Sequence, residues 1–229
     1  MERKKYQLKY YNIMTRATIL CFLTSNFGAI QLINIFADVQ LDAGTLIFHI
    51  IFIFNNIITE VYGFSANCKN ILIAICSNIF LTIFLYLVVM LPSAPDFYAQ
   101  KEFETIFSIS PLIVTASVIS YFIGGVLNSI IIAFLKIRYK GKFFALRAVF
   151  STSIGSFVET IIFCFIAFSN IISRDGLFKM IILLYAVKVL YQIVAMPITI
   201  KVVAFLKLTE GKDVFERPSF KGLSPILKN

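Results

Sequence analysis

The chain has 229 residues, of which 59% are hydrophobic and 14% charged, against roughly 45 to 50% and about 25% in soluble globular domains, which excludes a surface built for water alone. The formal charge of +9 does not point to nucleic acid, because the basic residues stand between apolar runs rather than along one polar face. Three of the four cysteines (Cys21, Cys76, Cys164) sit in apolar runs and Cys68 in a short connection, without a C-x-x-C pair, so free structural thiols are expected.

Runs of about 20 apolar residues are long enough to span hydrocarbon. In chain order they predict spans at Ala17 to Ala37, Thr45 to Thr59, Asn70 to Leu91, Leu112 to Leu135, Ala145 to Ser169 and Met180 to Phe205. The first follows a basic segment, as a signal peptide would, but shows no A-x-A cleavage pattern and reads as a retained span. Its residues Ala17, Cys21, Ser25 and Ala29 make a small-residue stripe, suited to close packing within the monomer or to a partner subunit. The second span is short and carries His49, Asn55 and Asn56, so it is the least certain crossing.

Basic residues retained in short loops set orientation. Sixteen lie at the two ends and in the connections after the second and fourth spans, including Lys69, Lys136, Lys140, Arg147 and Lys207; only Lys101, Arg174 and Lys179 lie in the alternate connections. The expected fold is all-α: a polytopic membrane protein of six transmembrane helices with N-terminus and C-terminus cytoplasmic, divided into a cytoplasmic segment 1–16, a six-helix domain 17–206 and a cytoplasmic tail 207–229. The connection Pro92 to Pro111 is expected as an external loop, and the polar tail after Leu206, with Pro218 and Pro225, as disordered.

Polar side chains within spans are costly and should face one another or a cavity. Ser117, Tyr121, Gly124 and Asn128 share one face of the fourth span, and Thr152, Ser156, Glu159 and Phe163 share one face of the fifth. Lys188 and Gln192, four apart in the sixth, add a third polar face. Glu159 and Lys188 are the most deeply placed ionisable pair, readable as a structural ion pair or as the heart of a substrate site. His49 is the only histidine, so a multi-histidine metal site is excluded and a packing role is the default beside proton relay. No cofactor is implied. The chain lacks a G-x-x-x-x-G-K-[ST] loop, an H-E-x-x-H pair and a G-x-S-x-G context, which argues against ATP hydrolysis by that loop and disfavours an enzyme.

Four stretches carry a family resemblance: Phe54 to Gly63 (FNNIITEVYG), Ser110 to Asn128 (SPLIVTASVISYFIGGVLN), Leu146 to Phe168 (LRAVFSTSIGSFVETIIFCFIAF) and Tyr185 to Pro197 (YAVKVLYQIVAMP). Together they resemble the queuosine-precursor transporter family, also called the YhhQ or VUT family. The resemblance implies a six-helix importer in a bacterial inner membrane, similar in fold to the vitamin-binding subunits of energy-coupling-factor transporters, that carries 7-deazaguanine bases such as 7-cyano-7-deazaguanine. Glu159 stands at the family's acidic position, and one carboxylate can accept both adjacent N–H donors of a guanine-like edge. Asn128 and Gln192 would read the remaining acceptors of the base, Tyr121 or Phe163 would stack on it, and Arg147 and Lys188 stand where the family's motifs have Arg and Lys. Asn56, Ser156 and Glu159 depart from the family's usual Asp, Gln or Asn, and Asp, which leaves transport intact but opens the substrate to queuine or an ordinary purine. Energy coupling is left between a proton gradient acting through Glu60, His49 or Glu159 and a separate ATPase module docked on the first span, and a homo-oligomer is open as well. Three further alternatives remain: a transporter or substrate-binding subunit for another purine-like or vitamin-like molecule, a non-transporting membrane partner, whose polar faces are helix contacts only, and intramembrane catalysis.

Overall fold

The computed structural model describes residues 9–36, 39–94 and 96–219. The basic residues Arg3, Lys4, Lys5, Lys221 and Lys228, used above for orientation, lie outside them. The elements run α1 (Lys9–Gly28), β1 (Leu32–Phe36), β2 (Val39–Asp42), α2 (Thr45–Tyr62), α3 (Phe64–Val89), α4 (Gln100–Arg138), α5 (Phe144–Phe168) and α6 (Arg174–Glu210). Five of the helices, α2 to α6, are long and apolar enough to cross a membrane. α1 is not among them, because Arg16 and several Thr, Asn and Ser residues dilute its apolar content.

The first departure from an all-α reading is the small antiparallel hairpin β1–β2, which pairs Leu32 with Asp42, Ile33 with Leu41 and Asn34 with Gln40. α1 therefore stops at Gly28 instead of reaching Ala37. Its end meets the start of α2: a Cβ on Gly28 would lie 2.9 Å from Gly44 Cα, and one on Gly44 only 2.0 Å from the Ser25 carbonyl oxygen. Beyond this crossing the run Leu32–Phe36 (LINIF), with its isoleucines, suits a pleated strand better than a helix.

The third helix presents Phe80, Phe84 and Leu87 outward, as a lipid-facing surface would. α4 has 39 residues and begins at Gln100, so much of the expected external loop is helical and Pro111 lies within it. At 1.5 Å per residue α4 is about 58 Å long, well beyond the hydrocarbon thickness. α6 likewise begins at Arg174 and passes through Pro197.

As far as residue 219 the tail departs most from expectation, and Pro225 lies outside the described residues. α6 continues to Glu210, closes on Gly211 in the left-handed region (φ 60°) and leads into an extended strap, residues 211–219. The strap lies against the helix ends: Val214 N–H donates to the Val61 carbonyl at 3.2 Å, and Glu216 accepts from the Ser65 N–H at 2.9 Å and from the Ser65 hydroxyl. The Phe215 ring stands 4.5 Å from Lys136 Nζ. Backbone pairing and charge hold this polar segment in place of an apolar core, which is why its composition suggests disorder.

Contacts between helix ends give the order of the bundle. Tyr10 N–H donates to Glu210 at 3.0 Å and Tyr11 Oη to the Ala66 carbonyl at 3.0 Å, so α1 starts where α2 and α6 end. At the other end of the bundle, Asn26 of α1, Thr45 of α2, Ser117 of α4, Glu159 of α5 and Lys188 of α6 converge on one cavity.

Candidate functional site

Polar side chains form three layers along α2, at its start near Thr45, around Asn56 and at Glu60. Fifteen residues of helix separate Thr45 from Glu60, about 22 Å at 1.5 Å per residue.

The layer beside the hairpin holds the buried ion pair. Glu159 Oε2 accepts from Lys188 Nζ and from the Thr160 hydroxyl at 3.3 Å, and Lys188 also donates to Thr160 Oγ1 at 2.9 Å. Lys188 Nζ lies 5.2 Å from the centre of the Phe48 ring, close enough for a cation–π attraction. The pair opens onto a cavity lined by Ser25, Asn26, Asp42, Thr45, Phe48 and Phe163, among others. The cavity's free volume is about 20 Å³, room for a water and not for a purine.

Asp42 ends β2 and accepts from the Thr45 N–H at 2.9 Å and from the Thr45 hydroxyl at 2.7 Å, which satisfies a donor at the start of α2. Burial pushes its carboxyl above the usual carboxylate range, opposed by the Thr45 hydroxyl, the Lys188 charge and the backbone N–H groups. The layer thus carries two carboxylates, Asp42 and Glu159, for one ammonium. His49 engages the Thr45 carbonyl through Nδ1 and packs 5.4 Å from Tyr191.

The middle layer consists of neutral side chains. Asn56 donates to Thr152 Oγ1 at 2.8 Å and to Gln192 Oε1 at 3.4 Å, and accepts from Asn128 at 2.9 Å. Thr152 donates to Asn128 Oδ1 at 3.4 Å. The Ser156 hydroxyl and Gln192 Nε2 are buried here without a protein partner. Tyr121 is fully buried against Phe22 and Phe48, with its hydroxyl donating to Asn55 Oδ1 at 3.2 Å.

The far layer is charged. Arg147 grips Glu60 with two bonds of 2.9 and 3.2 Å, and Lys207 adds a third at 2.7 Å. Lys136 and Lys207 bridge from Glu60 to Asp213 of the strap. Asp213 lies outside the helices; its partial burial acts to raise its carboxyl pKa, but hydrogen bonds and charge from Lys136 and Lys207 outweigh that and hold it below the usual range.

The structure therefore brings Glu159, Lys188 and Phe163 together at the cavity. It gathers Asn56, Asn128 and Gln192 in the amide layer next to Ser156, keeps Tyr121 behind Phe48, and sets Glu60 and Arg147 at the opposite end of α2. Asp42, Asn26, Gly44 and Phe48 line the cavity without having been candidates from the sequence. Asp42 had a signal, an acid three residues before an apolar helix start; Asn26 had another, an amide in an apolar run. Of the small-residue stripe on α1, Ser25 and Ala29 are buried within the chain itself.

The cavity thus lies among membrane-length helices, the end of α1 and the hairpin, with an ion pair at its wall. Residues 42–202 match the family model described as "Putative vitamin uptake transporter". The chain belongs to this family. No curated protein and no solved structure matches the chain.

Proposed function

We propose that the chain is a multi-pass importer of a queuosine precursor, 7-cyano-7-deazaguanine or a related 7-deazaguanine base, in a bacterial inner membrane. Membership in a vitamin-uptake family supports transport. One observation favours a planar, polar base: Glu159 and Lys188 border a cavity whose lining includes the rings of Phe48 and Phe163, instead of being sealed in packed core. Glu159 Oε2 is bound by Lys188 and Thr160, and neither of these takes Oε1. That oxygen is the acceptor for a ligand N–H.

In this reading the present cavity is the closed conformation, and the base enters when the hairpin and the end of α1 draw away from α5 and α6. All six helices cross, with both ends of the chain cytoplasmic, as the basic residues indicate. The Glu60–Arg147 layer and the strap then form the cytoplasmic closure, and alternating access moves the base past the amide layer. A coupling module or a second copy would have to dock on surfaces other than Ser25 and Ala29, which are buried within the chain.

The test is rescue of queuosine in transfer RNA in a bacterium lacking both precursor synthesis and its own importer, with each base supplied externally. Rescue by the wild type and its loss with Glu159→Ala at equal membrane expression is the expected result. If no base gives rescue despite normal expression, the queuosine assignment fails. A related substrate is the second reading, favoured by the longer carboxylate arm at Glu159 and the neutral Asn56, and competition among purine-like ligands distinguishes it.

A further inference from the structure

Asn26 lies in the last turn of α1, outside the 42–202 stretch that the family model covers. Its side chain is 94% buried, being 6% exposed. Oδ1 accepts a hydrogen bond from the Ser117 hydroxyl, while Nδ2 is buried without a protein partner. Asn26 shares the cavity with Glu159, Lys188 and Asp42. A buried amide N–H left unbonded is costly, so a donor held in this way calls for an acceptor. The Ser117 bond holds the side chain at its other end; Asn26 also borders a second cavity with Asn78 and Thr82, and of the two it is the one shared with Glu159 that carries charged groups.

The groups around the cavity are complementary to one another. Glu159 supplies an acceptor at Oε1, Asn26 supplies a donor at Nδ2, and Phe48 and Phe163 supply flat apolar walls. An adjacent donor and acceptor on a planar ring, N–H beside C=O, is the edge of a lactam. A 6-amino ring carries the opposite pattern there, an acceptor nitrogen beside a donor amine. The Asn128 amide, which the sequence suggests for reading the carbonyl, already donates to Asn56 and accepts from Thr152.

We propose that Asn26 is a specificity-determining residue, whose Nδ2 donates to the ring carbonyl oxygen of a planar lactam while Glu159 accepts from the neighbouring N–H. This inference rests on the base-import reading above and sharpens it to 6-oxo bases. Because Asn26 lies outside the matched stretch, members of the family with another residue here should differ in their preference between oxo and amino rings.

The experiment uses the full chain in proteoliposomes. Uptake of 7-cyano-7-deazaguanine is compared with that of its analogue bearing an amino group in place of the ring oxygen, for wild type, Asn26→Ala, Asn26→Asp and Asn128→Ala. The wild type is expected to prefer the oxo base by about a hundredfold, the order of discrimination that one good bidentate hydrogen-bond pair gives against the wrong base. Asn26→Ala should raise KM for the oxo base about tenfold and erase most of the preference. Asn26→Asp, nearly isosteric and an acceptor, should cancel the preference, since each base then meets one matched and one mismatched group, while leaving the fold intact. Asn128→Ala should lower thermal stability and leave the oxo to amino ratio unchanged.

A wild type that takes up both bases equally overturns the proposal, as do folded Asn26 variants that keep the wild-type ratio; in either case base import itself stands. A wild type that takes up neither base defeats the import reading and this inference with it. Should Asn26→Ala not fold, Asn26→Asp and the wild-type ratio still decide.

Discussion

Gly124 on α4 and Glu159 on α5 lie against each other so closely that a Cβ on Gly124 would stand 2.4 Å from Glu159 Cβ and 2.6 Å from the Gly155 carbonyl oxygen. The reciprocal position is as tight, since a Cβ on Gly155 would fall 2.7 Å from Asn128 Cβ and 2.7 Å from the Gly124 carbonyl oxygen. The obstacles are backbone and the roots of side chains, so neither can swing aside. Gly124→Ala should therefore part α4 from α5 at the ion pair, costing about 1 to 3 kcal/mol by overpacking and lowering uptake. Thermal unfolding in detergent and uptake in proteoliposomes measure both effects; wild-type values in both would show that the helices separate without cost.

Removing one member of the Glu159–Lys188 pair leaves the other buried and uncompensated. Lys188→Met or Glu159→Gln should cost roughly 3 to 5 kcal/mol, whereas the double variant should recover much of that stability. On the proposed role of Glu159, uptake should stay well below wild type in the double variant, because a glutamine amide is a weaker acceptor than the carboxylate. A double variant that regains both stability and uptake would reduce the pair to a structural one.

Glu60 is held by Arg147 and Lys207 at the far end of α2. Arg147→Ala should lower folded yield and maximal rate, and leave KM for the base within about twofold, since Arg147 does not line the cavity. A large change in KM with unchanged stability would instead place Arg147 in contact with substrate.

The strap gives a pH dependence with a definite sign. The folded carboxyl of Asp213 titrates below its unfolded value of about 3.9, so its contribution to docking is fully present above that value and is lost as pH falls through the lower folded one. Hydrogen exchange at the Val214 amide, which donates to Val61, should show protection at pH 5 that declines below about pH 4. Asp213→Asn should weaken protection at pH 5 and flatten that decline. Equal protection of both proteins at every pH would mean that backbone pairing alone holds the strap.

Much of the architecture was legible because a bilayer imposes one rule, about 20 apolar residues per crossing, and five runs obey it openly. The carboxylate and ammonium at Glu159 and Lys188 were legible for the same reason, since charge in such a run needs a partner. What escaped depended on particular approaches in space. Nothing in the apolar run from Ala17 to Ala37 announces that Gly28 will meet Gly44 and end the helix there, which frees Leu32 to Asp42 to form a hairpin and sets Asp42 beside Lys188. The tail reads as polar and unstructured, yet Lys136 and Ser65, far away in sequence, supply its partners. The positions of Glu60 and Arg147 follow from helix direction: four residues beyond Asn56 on α2 the chain has passed from the amide layer to the far charged layer.

The neutral layer around Asn56 has an electrical consequence. Between the charges at Glu159 and those at Glu60 the bonded side chains are Asn56, Asn128, Thr152 and Gln192, none of which exchanges a proton near neutral pH. Among the described residues, these amides and hydroxyls act as an insulating washer between two charged stations. A proton released at Glu159 finds no carboxylate or imidazole in that layer to receive it, so side chains alone do not conduct it through the resting protein. In the import reading, any charge that crosses the resting bundle has to travel with the solute or with water admitted beside it.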